Sequence, residues 1–229
     1  MTVLTLQAWL NNHGAAIAVD GKGGPTTRNA IIETFRNKSA PAITVPEVKL
    51  IAETLGCTTR QIATVVAVES AGAGWDDTGL LKCLWERHYL WRRVKVAIPL
   101  LSDPSPGGYT VDVDRDGIND SWEKLADAAC RWGEVAFECA SFGKPQVMGA
   151  HWKALGYPSV LDMVWQLSKS EWAHYDMLAR FIRVNNLTGA LRSIGGKSEL
   201  CLAFARGYNG KGQKGYDQHL AEAYRRIQE

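Results

Sequence analysis

Ile62-Ala63-Thr64-Val65-Val66-Ala67-Val68-Glu69-Ser70-Ala71-Gly72 is the stretch on which the reading of this chain turns. Apolar residues at 62, 65 and 66 follow the three-and-four spacing of a buried helical face, and Thr58 stands where an N-cap belongs. Glu69 lies seven residues past Ile62, almost two full turns, so it falls on that same face. A carboxyl occupies a position where the pattern calls for Leu or Val. Burial disfavours the charged form and raises a carboxyl pKa, the condition for a general acid near neutrality. Gly72 and Gly74 are expected to end the helix at about that carboxyl. A last-turn Glu that frays into water is the plainer alternative.

Working outward, 229 residues suffice for one sizeable core plus a small accessory domain. No apolar run approaches the length of a membrane helix, so no stable membrane insertion is expected. The start, Met1-Thr2-Val3-Leu4-Thr5-Leu6-Gln7, lacks a basic segment and a cleavage site, so no signal peptide is expected and synthesis in a cytoplasm follows. Five scattered cysteines without a CxxC pair fit buried thiols better than a disulfide framework or a zinc cluster. The net charge of +2 resides in residues 1–45 and the remainder is neutral. That is too weak for a nucleic-acid groove. Nine Trp are available as core or as flat faces for sugar rings.

Along the chain, residues 4–36 read as two short helices around the turn Asp20-Gly21-Lys22-Gly23-Gly24-Pro25, with Thr26 or Thr27 as cap. Asn37-Lys38-Ser39-Ala40-Pro41-Ala42 is small and polar, bracketed by Pro41 and Pro46, the expected boundary. Helices follow at about 46–54, 121–139, in two pieces across 158–187, and at 216–227. Periodicity weakens between 76 and 109, where Leu84-Trp85-Glu86-Arg87-His88-Tyr89 surrounds a second acid/base candidate, Glu86, with aromatic and basic groups. An ion pair with Arg87, Arg92 or Arg93 is its alternative role. Ser141 to Gly149 forms a turn or short hairpin displaying Ser141 and Gln146. Tyr208 and Asn209, at a helix end before a glycine-rich loop, offer a ring face and an amide for a sugar. A capping role is the other reading for Asn209.

Asp112, Asp114, Asp116, the Ile118 carbonyl, Asp120 and Glu123 stand at positions one, three, five, seven, nine and twelve of a calcium-loop pattern, with Gly117 at six. A solvated acidic turn whose Asp120 or Ser121 caps the next helix fits the same residues.

Leu6-Gln7, Leu10, Gly14, Val19-Asp20-Gly21, Gly24, Thr27, Ala30-Ile31 and Phe35 resemble the peptidoglycan-binding domain of cell-wall hydrolases. Four ordered blocks resemble the N-acetylmuramidase domain of phage endolysins. They are Val68-Glu69-Ser70, Leu84 to Tyr89, Ala140-Ser141-Phe142-Gly143 with Gln146-Val147-Met148-Gly149, and Phe204 to Gly210. The chain departs from that family at Phe142, where Trp is usual, and at Lys144-Pro145. The resemblance implies a mainly α fold, with a helical wall-binding domain over 1–38, a linker at 39–46 and a lysozyme-like catalytic domain with a small hairpin lobe over 47–229. It implies hydrolysis of the β-1,4 bond between N-acetylmuramic acid and N-acetylglucosamine, with Glu69 and Glu86 catalytic. Ser141, Gln146, Tyr208 and Asn209 would contact glycan, and Asp20, Gly21, Gly24 and Thr27 the wall. No cofactor is required beyond the candidate calcium. Peptidoglycan is the expected partner and a monomer the expected state. A lytic transglycosylase and a non-catalytic wall-binding protein are the alternatives.

Overall fold

The computed structural model describes residues 2–69, 74–210, 212 and 214–228. The described helices are α1 (Val3–Asn12), α2 (Pro25–Phe35), α3 (Val45–Leu55), α4 (Thr59–Glu69), α5 (Arg87–Val94), α6 (Asp120–Trp132), α7 (Val160–Lys169), α8 (Glu171–Val184), α9 (Thr188–Arg192), α10 (Ser198–Asn209) and α11 (Tyr216–Arg226). Strands β1 (Cys83–Trp85), β2 (Ala140–Phe142) and β3 (Val147–Met148) form one antiparallel sheet in that order. No described helix is long and apolar enough to cross a membrane. The chain divides into two compact units, Met1–Ala40 with Trp75–Lys169, and Pro41–Gly74 with Ser170–Glu229.

The first unit grows around α6. Its Trp122, Leu125, Ala126 and Ala129 are fully buried, and Asn119 caps it by accepting from the Ser121 N–H at 2.9 Å. The cap is therefore neither Asp120 nor Ser121. Asn119 is the residue with extended backbone just outside the helix, from which a side-chain oxygen can reach the orphan N–H groups. The helix does not run to 139. Gly133 takes φ 64°, and a 3-10 turn over Gly133–Cys139 leads into β2. Leu84 then pairs with Ser141, and Ser141 with Met148.

The N-terminal helices belong to this same core. Two helices of ten and eleven residues cannot bury enough apolar surface alone. Phe35 is fully buried and lies 5.7 Å from Trp122 and 5.2 Å from Phe137, centroid to centroid. Gly23 approaches α6 so closely that a Cβ there would sit 1.9 Å from the Cys130 carbonyl oxygen. Packing therefore draws its boundary at Ala40/Pro41 and returns the chain to this unit at Trp75, instead of isolating residues 1–38.

The second unit is all helical among its described residues. Thr44 and Glu47 form a capping box at the start of α3, and Gly56 ends it at φ 61°. Arg192 donates to the last α3 carbonyl, Leu55, at 3.0 and 3.1 Å. Leu55, Ile62, Val65, Leu178, Ile182, Phe204 and Leu220 form its fully buried centre. Gly72 as a helix terminator, Ser70 of the Val68-Glu69-Ser70 block and Lys211 lie outside the described residues. Gly74 sits in a bend.

All five cysteines are free thiols. Burial pushes Cys57 and Cys130 up to about 11 and Cys139 up to about 12, which argues against a nucleophilic thiol at any of the three.

Phe35→Ala should cost about 3–5 kcal/mol in equilibrium unfolding, because it empties a cavity among Trp122, Phe137 and Trp9. A loss under about 1 kcal/mol would mean that α2 is not part of this core.

Candidate active site

α4 starts with a reciprocal cap. Thr58 Oγ1 accepts from the Gln61 N–H at 3.1 Å, and Gln61 Oε1 accepts from the Thr58 N–H at 3.0 Å. Gln61 Nε2 also donates to the carbonyls of Arg192 (2.6 Å) and Ile194 (3.1 Å). The buried face of α4 continues through Ile62, Val65 and Val66 to the partly buried Glu69. Burial pushes the Glu69 carboxyl from its usual 4.5 up to about 7, while a hydrogen bond from the Tyr216 hydroxyl to Oε1 pulls it down. Tyr216 is only 7 % exposed. Its ring lies nearly parallel to Tyr208, with centroids 6.2 Å apart, and Tyr208 stacks on Phe204 at 5.3 Å. Tyr208 and Asn209 are the last two residues of α10, the helix end at which the sequence placed them, before Gly210 takes φ 82°. Asn209 is exposed.

Glu86 belongs to the first unit, at the junction of β1 and α5. Its Oε2 accepts from the Tyr109 hydroxyl at 2.8 Å and lies 3.2 Å from His88 Nδ1. The neighbouring arginines are engaged elsewhere. Arg87 donates to the Ser105 and Pro106 carbonyls, and Arg93 binds Glu138 at 2.6 Å. Glu86 is thus held by the Tyr109 phenol, with the His88 ring beside it, in place of the guanidinium pair offered as its alternative role.

Ser141 and Gln146 come together on the β2–β3 hairpin, but toward each other. Ser141 is 5 % exposed and donates to Gln146 Oε1 at 2.9 Å. Gln146 Nε2 donates to the Gly143 carbonyl at 2.8 Å. The pair ties the turn instead of displaying both side chains, because a buried hydroxyl needs a partner.

The N-terminal turn is organised by a buried side chain. Gln7 Oε1 accepts from the N–H groups of Asp20 (3.1 Å) and Gly21 (2.8 Å). Its Nε2 donates to Asp20 Oδ1, the Lys22 carbonyl and Thr27 Oγ1 at 3.0–3.1 Å. Thr27 is buried, Gly21 has φ 72°, and Gly24 supplies the residue before the first turn of α2. Asp20, Gly21 and Thr27 are therefore occupied in shaping the turn.

In the acidic loop, oxygens of Asp112, Asp114 and Asp116 lie within 4.8 Å of one another, as do those of Asp114, Asp120 and Glu123. Asp112 Oδ1 is buried without a hydrogen-bond partner. Burial raises the Glu123 pKa, with further pushes from Asp114 and Asp116, although Arg28 forms an ion pair with it. The Asp120 carboxyl accepts from the Val113 N–H at 3.0 Å. These oxygens are hard ligands of the type calcium takes.

Tyr216, Tyr109 and His88 were not singled out as site residues by the sequence. Tyr216 stands 147 positions from Glu69 and Tyr109 stands 23 from Glu86, so no local spacing links either pair.

The family model described as N-acetylmuramidase matches residues 58–228. No curated protein sequence matches the chain significantly. Among solved structures, the crystal structure of the Burkholderia AP3 phage endolysin is similar at 30 % identity and a TM-score of 0.71, over 98 % of this chain and 93 % of that one. The fold is mainly α and lysozyme-like. A match over residues 58–228, with a 30 % identical endolysin alignable along nearly the whole chain, places this protein in the N-acetylmuramidase family.

Proposed function

We infer that this chain is a phage endolysin, a lysozyme-type glycoside hydrolase cleaving the β-1,4 bond between N-acetylmuramic acid and N-acetylglucosamine in peptidoglycan. The observation that carries the reading is the placement of the Glu69 carboxyl at the end of the buried face of α4, where burial pushes its pKa up to about 7. Protonated at neutrality, it donates to the glycosidic oxygen as positive charge develops on the sugar ring. Glu86, oriented by the Tyr109 hydroxyl, takes the role of second carboxylate, activating water or stabilising the cation. Tyr208 and Asn209, in the last turn of α10, are the proposed glycan contacts. Synthesis in the host cytoplasm and access to the wall after membrane breach fit this reading, with the enzyme acting as a monomer.

We also propose wall binding by the α1–α2 hairpin. Because the Asp20–Thr27 turn is internally bonded, the surface offered is an open groove of about 480 Å³ beside it. That groove is lined by His13, Asn29, Glu33, Trp165 and Lys169. The acidic loop is proposed to hold calcium through Asp112, Asp114, Asp116, Asp120, Glu123 and the Ile118 carbonyl, in competition with Arg28 for Glu123.

Glu69→Gln should abolish turbidity clearing of isolated peptidoglycan, by at least about a hundredfold, with the fold retained by circular dichroism. Clearing at the wild-type rate would refute the assignment. Stability should carry the same signature. Below about pH 4.5 the carboxyl is protonated folded and unfolded, and between about 4.5 and 7 only the unfolded chain readily loses the proton. Folding stability therefore falls as pH rises through that window, by up to about 3 kcal/mol. Urea midpoints should show this slope flattened in Glu69→Gln, and an identical slope in the variant contradicts it. For the loop, saturating calcium should raise the melting temperature and chelator reverse it. A melt indifferent to calcium removes the metal.

A further inference from the structure

We propose that Tyr216 is the positioning residue for the proton donor. It fixes one oxygen of Glu69 so that the other carries the transferable proton. The proposal rests on the reading of Glu69 as general acid, and it is built on how α4 and α11 are pinned.

The two helices are tied at both ends. At the start of α4, the Arg60 guanidinium donates to the Tyr224 carbonyl at 2.7 and 2.9 Å and lies over the Tyr224 ring, 4.2 Å from its centroid. At the far end, the Tyr216 hydroxyl donates to Glu69 Oε1. Nine residues separate the anchors on α4 and eight on α11, about 13 Å and about 12 Å of helix at 1.5 Å per residue. The helices run antiparallel and the spans match, so the Arg60 clamp delivers the Tyr216 hydroxyl to the carboxyl. A slip of one turn would break both ties.

The ring of Tyr216 lies parallel to that of Tyr208, with centroids 6.2 Å apart, and is only 7 % exposed, which restricts where the hydroxyl can point. The titratable groups facing the carboxyl are Tyr216 from α11 and Tyr208 from α10. Burial, with the Glu69 charge adding to it, holds both phenols protonated through the working range. Among the described residues, α3 and α9, the other helices packed on α4, bring no group that acts on it.

Because Oε1 already accepts from Tyr216, the acid proton resides on the second oxygen. When that proton leaves to the substrate, the hydroxyl is in place to bond the new carboxylate. Burial alone would make Glu69 a reluctant donor, and Tyr216 offsets part of that reluctance.

Tyr216→Phe keeps the ring and deletes the hydroxyl. Without the donor, the ionised form loses its hydrogen bond and the Glu69 pKa rises. The basic limb of the pH profile of kcat should then move upward by about one pH unit. The plateau below it should fall about tenfold or more, as a weaker acid donates more slowly. An unmoved limb, with Glu69→Gln inactive, overturns the positioning role and leaves the general acid standing. An active Glu69→Gln overturns the underlying reading instead. Should Tyr216→Phe not fold, the wild-type Tyr216 hydroxyl proton provides the second measurement. Its NMR shift should change with the midpoint of the activity limb, and a shift independent of pH overturns the proposal.

Discussion

A carboxyl group gains most of its stability as an anion from water, and the helices of the second unit keep much of that water from Glu69. The cost falls on the charged form alone, so the proton is retained to a pH where an exposed Glu has long since lost it. Tyr216 reaches the carboxyl with its hydroxyl, its ring lies parallel to that of Tyr208, and Tyr208 in turn stacks on Phe204. The Thr58–Gln61 box starts α4 at a fixed residue, and Gln61 ties that start to the chain after α9.

The same helices also limit the effect. A carboxyl buried with no donor would be too poor an acid to give up its proton. Tyr216 supplies a single donor and no cation, a milder correction than the ion pair that would return the group to the ordinary carboxylate range. Glu86 experiences a different set of neighbours, Tyr109 and His88 on one oxygen.

What could be read from the residues follows how local the physics is. The α4 helix and the odd placement of Glu69 were legible because a 3.6-residue period exposes a polar intruder. The α4 start was legible because the capping residue Thr58 acts over three positions, whereas the Thr44–Glu47 box that starts α3 was passed over. The division of the chain was not. Residues 41–74 and 170–229 share one core across the 95 residues of Trp75–Lys169, and Phe35 finds Trp122 and Phe137 only in the folded unit. β1 escaped for a similar reason, since three residues are too few to show an alternation and its partner Ser141 lies far along the chain. Ser141 and Gln146 were found as a pair, while their mutual hydrogen bond depends on the turn bringing them face to face. Gln7 was named within the Leu6-Gln7 motif, yet nothing in its neighbours reveals that its amide will bind a loop thirteen residues away.

The central claim is a protonation state, and a protonation state can be observed directly. Carbon-13 NMR of the Glu69 side-chain carboxyl, followed across pH in the intact folded protein, should give a midpoint near 7. A midpoint near the ordinary 4.5 would mean that water reaches this carboxyl freely, and the account of it as a neutral-pH proton donor would be contradicted.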